Sequence, residues 1–404
     1  MSPAASRLAR LLSCVALMCV LTVNSACRNE NHSSPKAQAS FDASLAKEVI
    51  VAYADLVYAN YQESMATAFA LDLKVREFVA APSAQRLTEC RTAWTTAREP
   101  YQQSEAFRFY GGPIDRAPDG PEGDLNPWPL DEAYIGYILD GRASGIGDGA
   151  GKNPQLNEAL LRALNGKGGE QNIATGWHAV EFMLWGEDVD AQGPGARSHE
   201  DFIGAEGQKP ARRRRYLSLV ASMILKDLEQ VTKEWHPKTG AYREEFLAYP
   251  PKKALSKIMT GMGTLAIGEL RGERMVAPFL SKSQEDEHSC FSDQTHLDAK
   301  NDALGIRNVW RGEYGSKLKG PSVRELVAKV DEDLALGIDA DLDAVLQAVT
   351  QPAFSPFDQA ILGADQSPGR KAIQGALDAL ARLDRSLTSM AKRLDIPVVT
   401  RLPR

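Results

Sequence analysis

Between Phe41 and Val79 the apolar residues Ile50, Tyr53, Val57, Tyr61, Met65, Phe69 and Leu73 recur every three or four positions. That spacing draws an apolar stripe along one long amphipathic helix, which must bury the stripe against neighbours. Pro82 ends it, and a second helix is expected from about Ala84 to Phe107, with Pro100 inside and a kink there. Further helical periodicity covers Leu156 to Leu164, Ile173 to Trp185, Tyr216 to Val231, Lys252 to Leu280 and Ile373 to Leu394. Ser322 and Glu325 form a capping box ahead of Val323, Leu326, Val330 and Leu334. Nothing alternates as a run of strands would. The fold class is therefore all-α. The two halves share an outline: a long helix, a second rich in Arg and Glu, a loop bearing metal-type ligands, then shorter helices. They are expected to be two related irregular helical bundles from a duplication, spanning 41–205 and 206–404. The polar, glycine-bearing stretch Gly186 to Gln208 holds the boundary.

Three other stretches are expected to be less regular. Gly111 to Leu130 is rich in Gly, Pro and Asp and reads as a long loop pinned by Trp128 and Pro129. Gly141 to Lys152 lacks the strand, spacing and hydroxyl of a phosphate loop and reads as a plain surface loop. The run Arg212–Arg215 reads as a solvated or ion-paired helix start.

The N-terminus points outward from the cytoplasm. Arg7 and Arg10 precede an apolar run from Leu11 to Val23, which is too short for a permanent membrane span. Residues 1–26 read as a signal peptide. Ser25-Ala26-Cys27 resembles a lipobox with Asn24 where Leu is usual, so Cys27 is the expected lipid anchor of an envelope lipoprotein. A secreted protein cleaved nearby is the alternative. Residues 27–40, polar and poor in large apolar groups, read as a disordered tether. Removing the leader's two arginines takes the net charge from −6 to −8. No nucleic-acid partner is expected of so acidic a chain. Of five cysteines only Cys90 and Cys290 would remain besides the anchor; whether they pair is open.

The stretch Gly176-Trp-His-Ala-Val-Glu-Phe-Met-Leu-Trp185 places His178 and Glu181 three residues apart, on one face of a helix. An imidazole nitrogen and a carboxylate oxygen can converge there on a metal ion. A buried histidine bonded to its neighbouring glutamate is the simpler reading of the same pair. On the second helix Arg98, Tyr101 and Glu105 fall on nearly one face. This is a surface ion pair, or a ligand, Glu105, oriented by Arg98. Asp286 to Asp298 is dense in oxygen and nitrogen donors but lacks the spacing of a calcium-binding loop.

Gly176-x-His178-x-x-Glu181 resembles the signature of the imelysin family, also called peptidase M75-like, which includes iron-regulated envelope lipoproteins. Trp94, Arg98-Glu-Pro-Tyr101, Glu105, Phe107, Asn126-x-Trp-Pro-Leu130 and Asp131 resemble its first half. Glu273-Arg-Met275, Asp286-x-His288, Phe291-Ser-Asp293 and Asp298 resemble its second half, with Cys290 and Gln294 as departures. The resemblance spans about Val49 to Leu394. It implies two helical bundles with a site at or near their junction, a cell-envelope location and an association with iron uptake, including envelope iron-transport partners. It places His178 and Glu181 at the centre of that site, with Glu105, Arg98 and Asp293 nearby.

Two functions follow, with a third behind them. The first is metal binding without catalysis: His178, Glu181, Glu105 and Asp293 as ligands, Arg98 holding a carboxylate, iron as the metal and zinc as the alternative. The second is an M75-type metallopeptidase with His178 and Glu181 as catalytic residues. Neither H-E-x-x-H nor H-x-x-E-H occurs, which argues against it. The third is a helical envelope scaffold for a protein partner.

Overall fold

The first helix, α1 (Ala43–Ala80), begins where the Asp42 carboxylate accepts hydrogen bonds from the Ser44 and Leu45 amides. The structure is a computed structural model and describes residues 41–136, 145–149, 155–190 and 192–402. The expected signal peptide, Cys27 and the tether lie outside the described residues. Val57, Tyr61, Ser64, Ala68, Leu71, Val75 and Phe78 form the buried face of α1, whereas Phe69 and Leu73 are exposed. The difference is one of phase. Stepping by four residues from Val57 drifts about 40° around the helix each time, so the expected stripe walks off the core by Phe69.

The longer helices that follow are α2 (Ala84–Ser104), α3 (Trp177–Trp185), α4 (Lys209–Glu234), α5 (Pro251–Thr264), α6 (Thr295–Arg311), α7 (Glu332–Thr350) and α8 (Pro368–Leu394). A π-helical stretch, Leu265–Val276, continues α5. The only strands among the described residues are β1 (Glu313–Tyr314) and β2 (Leu318–Lys319), an antiparallel pair. The fold is all-α, as expected, and the described residues belong to one compact unit. Helix α1 packs against both α2 and α4, so contacts cross the boundary expected near residue 205. No helix among the described residues is long and apolar enough to cross a membrane.

Several elements differ from expectation. Helices α6 and α7 stand where no separate helix was expected. Asp331, whose carboxylate caps Leu334, separates Val323–Val330 from α7. The capping box holds, with Ser322 Oγ accepting from the Glu325 amide at 3.1 Å. Ile146 to Asp148, expected in a surface loop, is buried under the start of α4. Arg212 donates to the Ile146 carbonyl and Arg213 pairs with Asp148 at 2.6 Å. The arginine run is thus an ion-paired helix start. Cys90 and Cys290 are separate buried thiols.

Candidate metal site

Helix α3 is the buried hub, with all nine of its residues in the core. Gly176 precedes it with φ +91°, and a Cβ there would stand 2.6 Å from the Leu125 carbonyl oxygen. Only glycine satisfies both constraints, which ties the loop before Asn126 to the start of the histidine-bearing turn. Trp94 of α2 locks the same turn by donating from Nε1 to the Trp177 carbonyl at 3.0 Å.

His178 and Glu181 meet as their spacing requires, Nδ1 to Oε2 at 2.8 Å, and both are fully buried. The other carboxylate oxygen accepts from the Ser292 amide at 3.0 Å and its hydroxyl at 2.6 Å. Across from His178 stands His288, with the two Nε2 atoms 3.3 Å apart. His288 Nδ1 lies 2.9 Å from Asp298 on α6. Asp298 also accepts from Ser289 Oγ at 2.5 Å and pairs with Arg98 at 3.0 Å. Arg98 reaches there from α2 over the rings of Trp94, Tyr101 and Trp177 and donates to Asn126 at 2.7 Å. Trp128 covers the pair, its ring 4.8 Å from that of His178.

The proton positions follow from the partners each atom must satisfy. Burial opposes ionisation of Asp298, but Arg98 and His288 hold its carboxyl well below the usual range. Ionised Asp298 accepts from His288 Nδ1–H, which leaves His288 Nε2 as an acceptor. His178 Nε2–H can then donate across the 3.3 Å gap. Burial pushes Glu181 up to about 8, so at neutral pH it carries a proton that its Oε2 donates to His178 Nδ1. Both imidazoles are neutral: burial, reinforced by Arg274, lowers His288 to about 4, and burial with His288 alongside holds His178 well below its usual value. The result is one file of hydrogen bonds, Glu181 to His178 to His288 to Asp298.

The carboxylates expected beside His178 are distributed differently. Helix α2 ends at Ser104, and Glu105 opens a tighter turn that carries it off the face of Arg98. Glu105 pairs with Arg108 at 2.6 Å and with Arg274, which also holds Asp302 at 2.7 Å. Burial disfavours its charge, but the two arginines win and hold it at about 2. Arg98 therefore orients Asp298, not Glu105. Asp293 faces Asp358, Asp188 and Asp190, and burial among these like charges raises it to about 7. No hydrogen bond among the described residues joins Glu105 or Asp293 to His178 or Glu181. In the sequence His288 and Asp298 belong to a donor-rich stretch and stand outside the expected ligand set. Their one sequence signal as site residues was membership in the second-half motif.

Among the described residues, no three His, Cys, Asp or Glu side chains are already gathered as a metal cage. The fit is instead that of an open site. Two imidazoles bound to one tetrahedral metal have nitrogens about 3.3 Å apart, the separation seen between His178 and His288. Each ring also has its other nitrogen tied to a carboxyl group, the arrangement that orients histidine ligands.

The imelysin profile of peptidase family M75 matches residues 57–387. Iron-regulated protein A of Synechococcus elongatus is 22% identical over 318 residues, covering 76% of this chain and 76% of that protein. The crystal structure of a candidate iron-regulated protein A precursor from Parabacteroides distasonis superposes with a TM-score of 0.68 at 21% identity, covering 89% of this chain and 97% of that one. An imelysin-like protein from Psychrobacter arcticum gives a TM-score of 0.60 at 12% identity, over 89% and 98% of the two chains. The chain belongs to the imelysin family.

Proposed function

We propose that the chain is an envelope protein that binds an iron ion between His178 and His288 in the service of iron uptake or homeostasis. The observation that carries this reading is the facing pair of Nε2 atoms, 3.3 Å apart, with each ring backed by a carboxyl group. The names of the relatives, which describe iron-regulated proteins, support iron as the metal. Imidazole equally suits zinc, so selection between them rests on metal supply as much as on affinity. The leader-like N-terminus with Cys27 and the description of one relative as a precursor support an envelope location.

In this reading His178 and His288 are the ligands, and Glu181 and Asp298 orient them. Arg98 keeps Asp298 ionised, and Trp128 limits water at the pair. Two protein donors leave the remaining coordination positions to water or to an incoming ligand, so the ion is held exchangeably, as transfer requires. A bound metal would act on nearby oxygens as a Lewis acid. Glu181 is poorly placed as the water-activating base of a peptidase, because both its oxygens are already hydrogen-bonded.

Calorimetric titration of metal-free protein with ferrous, ferric and zinc ions tests the reading. One ion should bind per chain, and His178→Ala or His288→Ala should weaken it at least a hundredfold. Unchanged affinity in both variants would remove the site.

A further inference from the structure

A cavity of about 350 Å³ has His288 and Asn126 in its wall, and His178 lies behind His288, the two Nε2 atoms 3.3 Å apart. The rest of the wall is largely ionic. Glu273 and Asp286 line it as solvent-exposed side chains, while Glu122 and Glu269 are partly buried. Arg108 and Arg274 also line it, but their charges are already engaged. Arg108 pairs with Glu105 at 2.6 Å and Glu122 at 2.8 Å, and Arg274 pairs with Asp302 at 2.7 Å and with Glu105. Six carboxyl groups therefore surround two guanidiniums.

Protonation does not reverse the balance. Burial raises Glu122 to about 7 against the pull of Arg108, and burial raises Asp302 to about 8 against the pull of Arg274. With both protonated, four carboxylates still outnumber the two arginines. A cavity of this sign concentrates cations and repels anions, and its low-dielectric walls strengthen the effect.

We infer that this cavity is the entrance to the His178–His288 pair and admits the metal as a free hydrated cation, excluding anionic iron carriers such as ferric citrate and haem. The inference rests on the metal-binding reading above and adds the chemical form of the cargo. Six waters at about 30 Å³ each fill roughly half of the space, so a hydrated ion fits. Citrate chelates and the two propionates of haem bring negative charge to an already acidic wall.

The test is anaerobic stopped-flow mixing of the full chain with ferrous sulfate, read by quenching of tryptophan fluorescence. Ferric citrate and haemin are run in parallel. Ferrous association should slow as salt rises from about 20 to 300 mM. In the Glu273→Gln/Asp286→Asn double variant it should be roughly threefold to tenfold slower at low salt and nearly insensitive to salt. Neither ferric citrate nor haemin should give binding that depends on His178 and His288. The inference is overturned if the double variant keeps the wild-type rate and salt dependence. It is also overturned if citrate or haemin binds as tightly as ferrous ion in a histidine-dependent way. If ferrous ion fails to bind, or binds equally to His178→Ala/His288→Ala, the metal-binding reading falls as well.

Discussion

Replacing Arg98 by Met should destabilise the protein strongly, and in a way that depends on pH. Arg98 is 3% exposed and is the one guanidinium among the described residues that pairs with Asp298, itself 2% exposed. Methionine keeps much of the packing over Trp94, Tyr101 and Trp177 but leaves the carboxylate with only neutral partners, His288 and Ser289. Breaking a buried ion pair from one side costs about 3–5 kcal/mol. Over residues 39–404, about 2.1 cal/mol/K per residue gives an unfolding entropy near 0.8 kcal/mol/K, so Tm should fall by about 4–7 °C. The sign with pH follows from the direction of the shift. Asp298 is depressed in the folded protein, so its contribution is present above the unfolded carboxyl value, about 3.9, and is lost as pH falls through the folded value. Without Arg98, burial raises the same group, so the penalty is greatest at neutral pH and fades as the carboxyl is protonated. Scanning calorimetry from pH 7.5 to about 4 should show the gap between wild type and Arg98→Met narrowing. Adding Asp298→Asn to the variant should recover much of the loss at neutral pH. A fall in Tm below about 1 °C, or a gap that widens on acidification, would refute the reasoning.

Other consequences can be measured independently. Because Glu181 sits up at about 8, the metal-free pair holds a proton that the ion must displace. Affinity should therefore rise about tenfold per pH unit between about 6 and 7.5 and level off above about 8; titrations in buffers of different ionisation enthalpy should count close to one proton released, and a pH-independent affinity would contradict this. Gly176→Ala should cost roughly 2 kcal/mol or more through its φ of +91° and the approach to Leu125, and unchanged thermal stability would argue against that geometry. Cys27→Ser should abolish membrane retention in cell fractionation while leaving the fold intact, and persistent labelling with a radioactive fatty acid would contradict the anchor.

The fold was legible where periodicity was strong and blurred where tertiary contacts set the phase. Helix α1 was plain in the sequence, but the exposure of Phe69 and Leu73 was not, because i+4 stepping looks apolar long after it has left the core side. Helix α6 was hidden by its polar start, where Thr295, Asp298 and Asn301 are buried for the sake of the site and its neighbours. The half-site His178–Glu181 was readable because it is local, one helical turn closed by one hydrogen bond. Its other half lies 110 residues away in sequence, and no spacing rule links His288 to His178. Glu105 shows the reverse error: its place on the Arg98 face assumed an α-helix that stops one residue earlier. Asp293, at φ +56°, turns toward a separate set of acids, of which Asp188 and Asp358 are buried, that the sequence alone could not tell from the site.

The most direct test is an anomalous-scattering map, at the iron edge, of crystals loaded with ferrous ion under anaerobic conditions. The expected result is a single strong peak within bonding distance of Nε2 of both His178 and His288. A peak among Asp188, Asp293 and Asp358, a peak beside Glu105, or none in a fully loaded crystal would contradict the proposed centre.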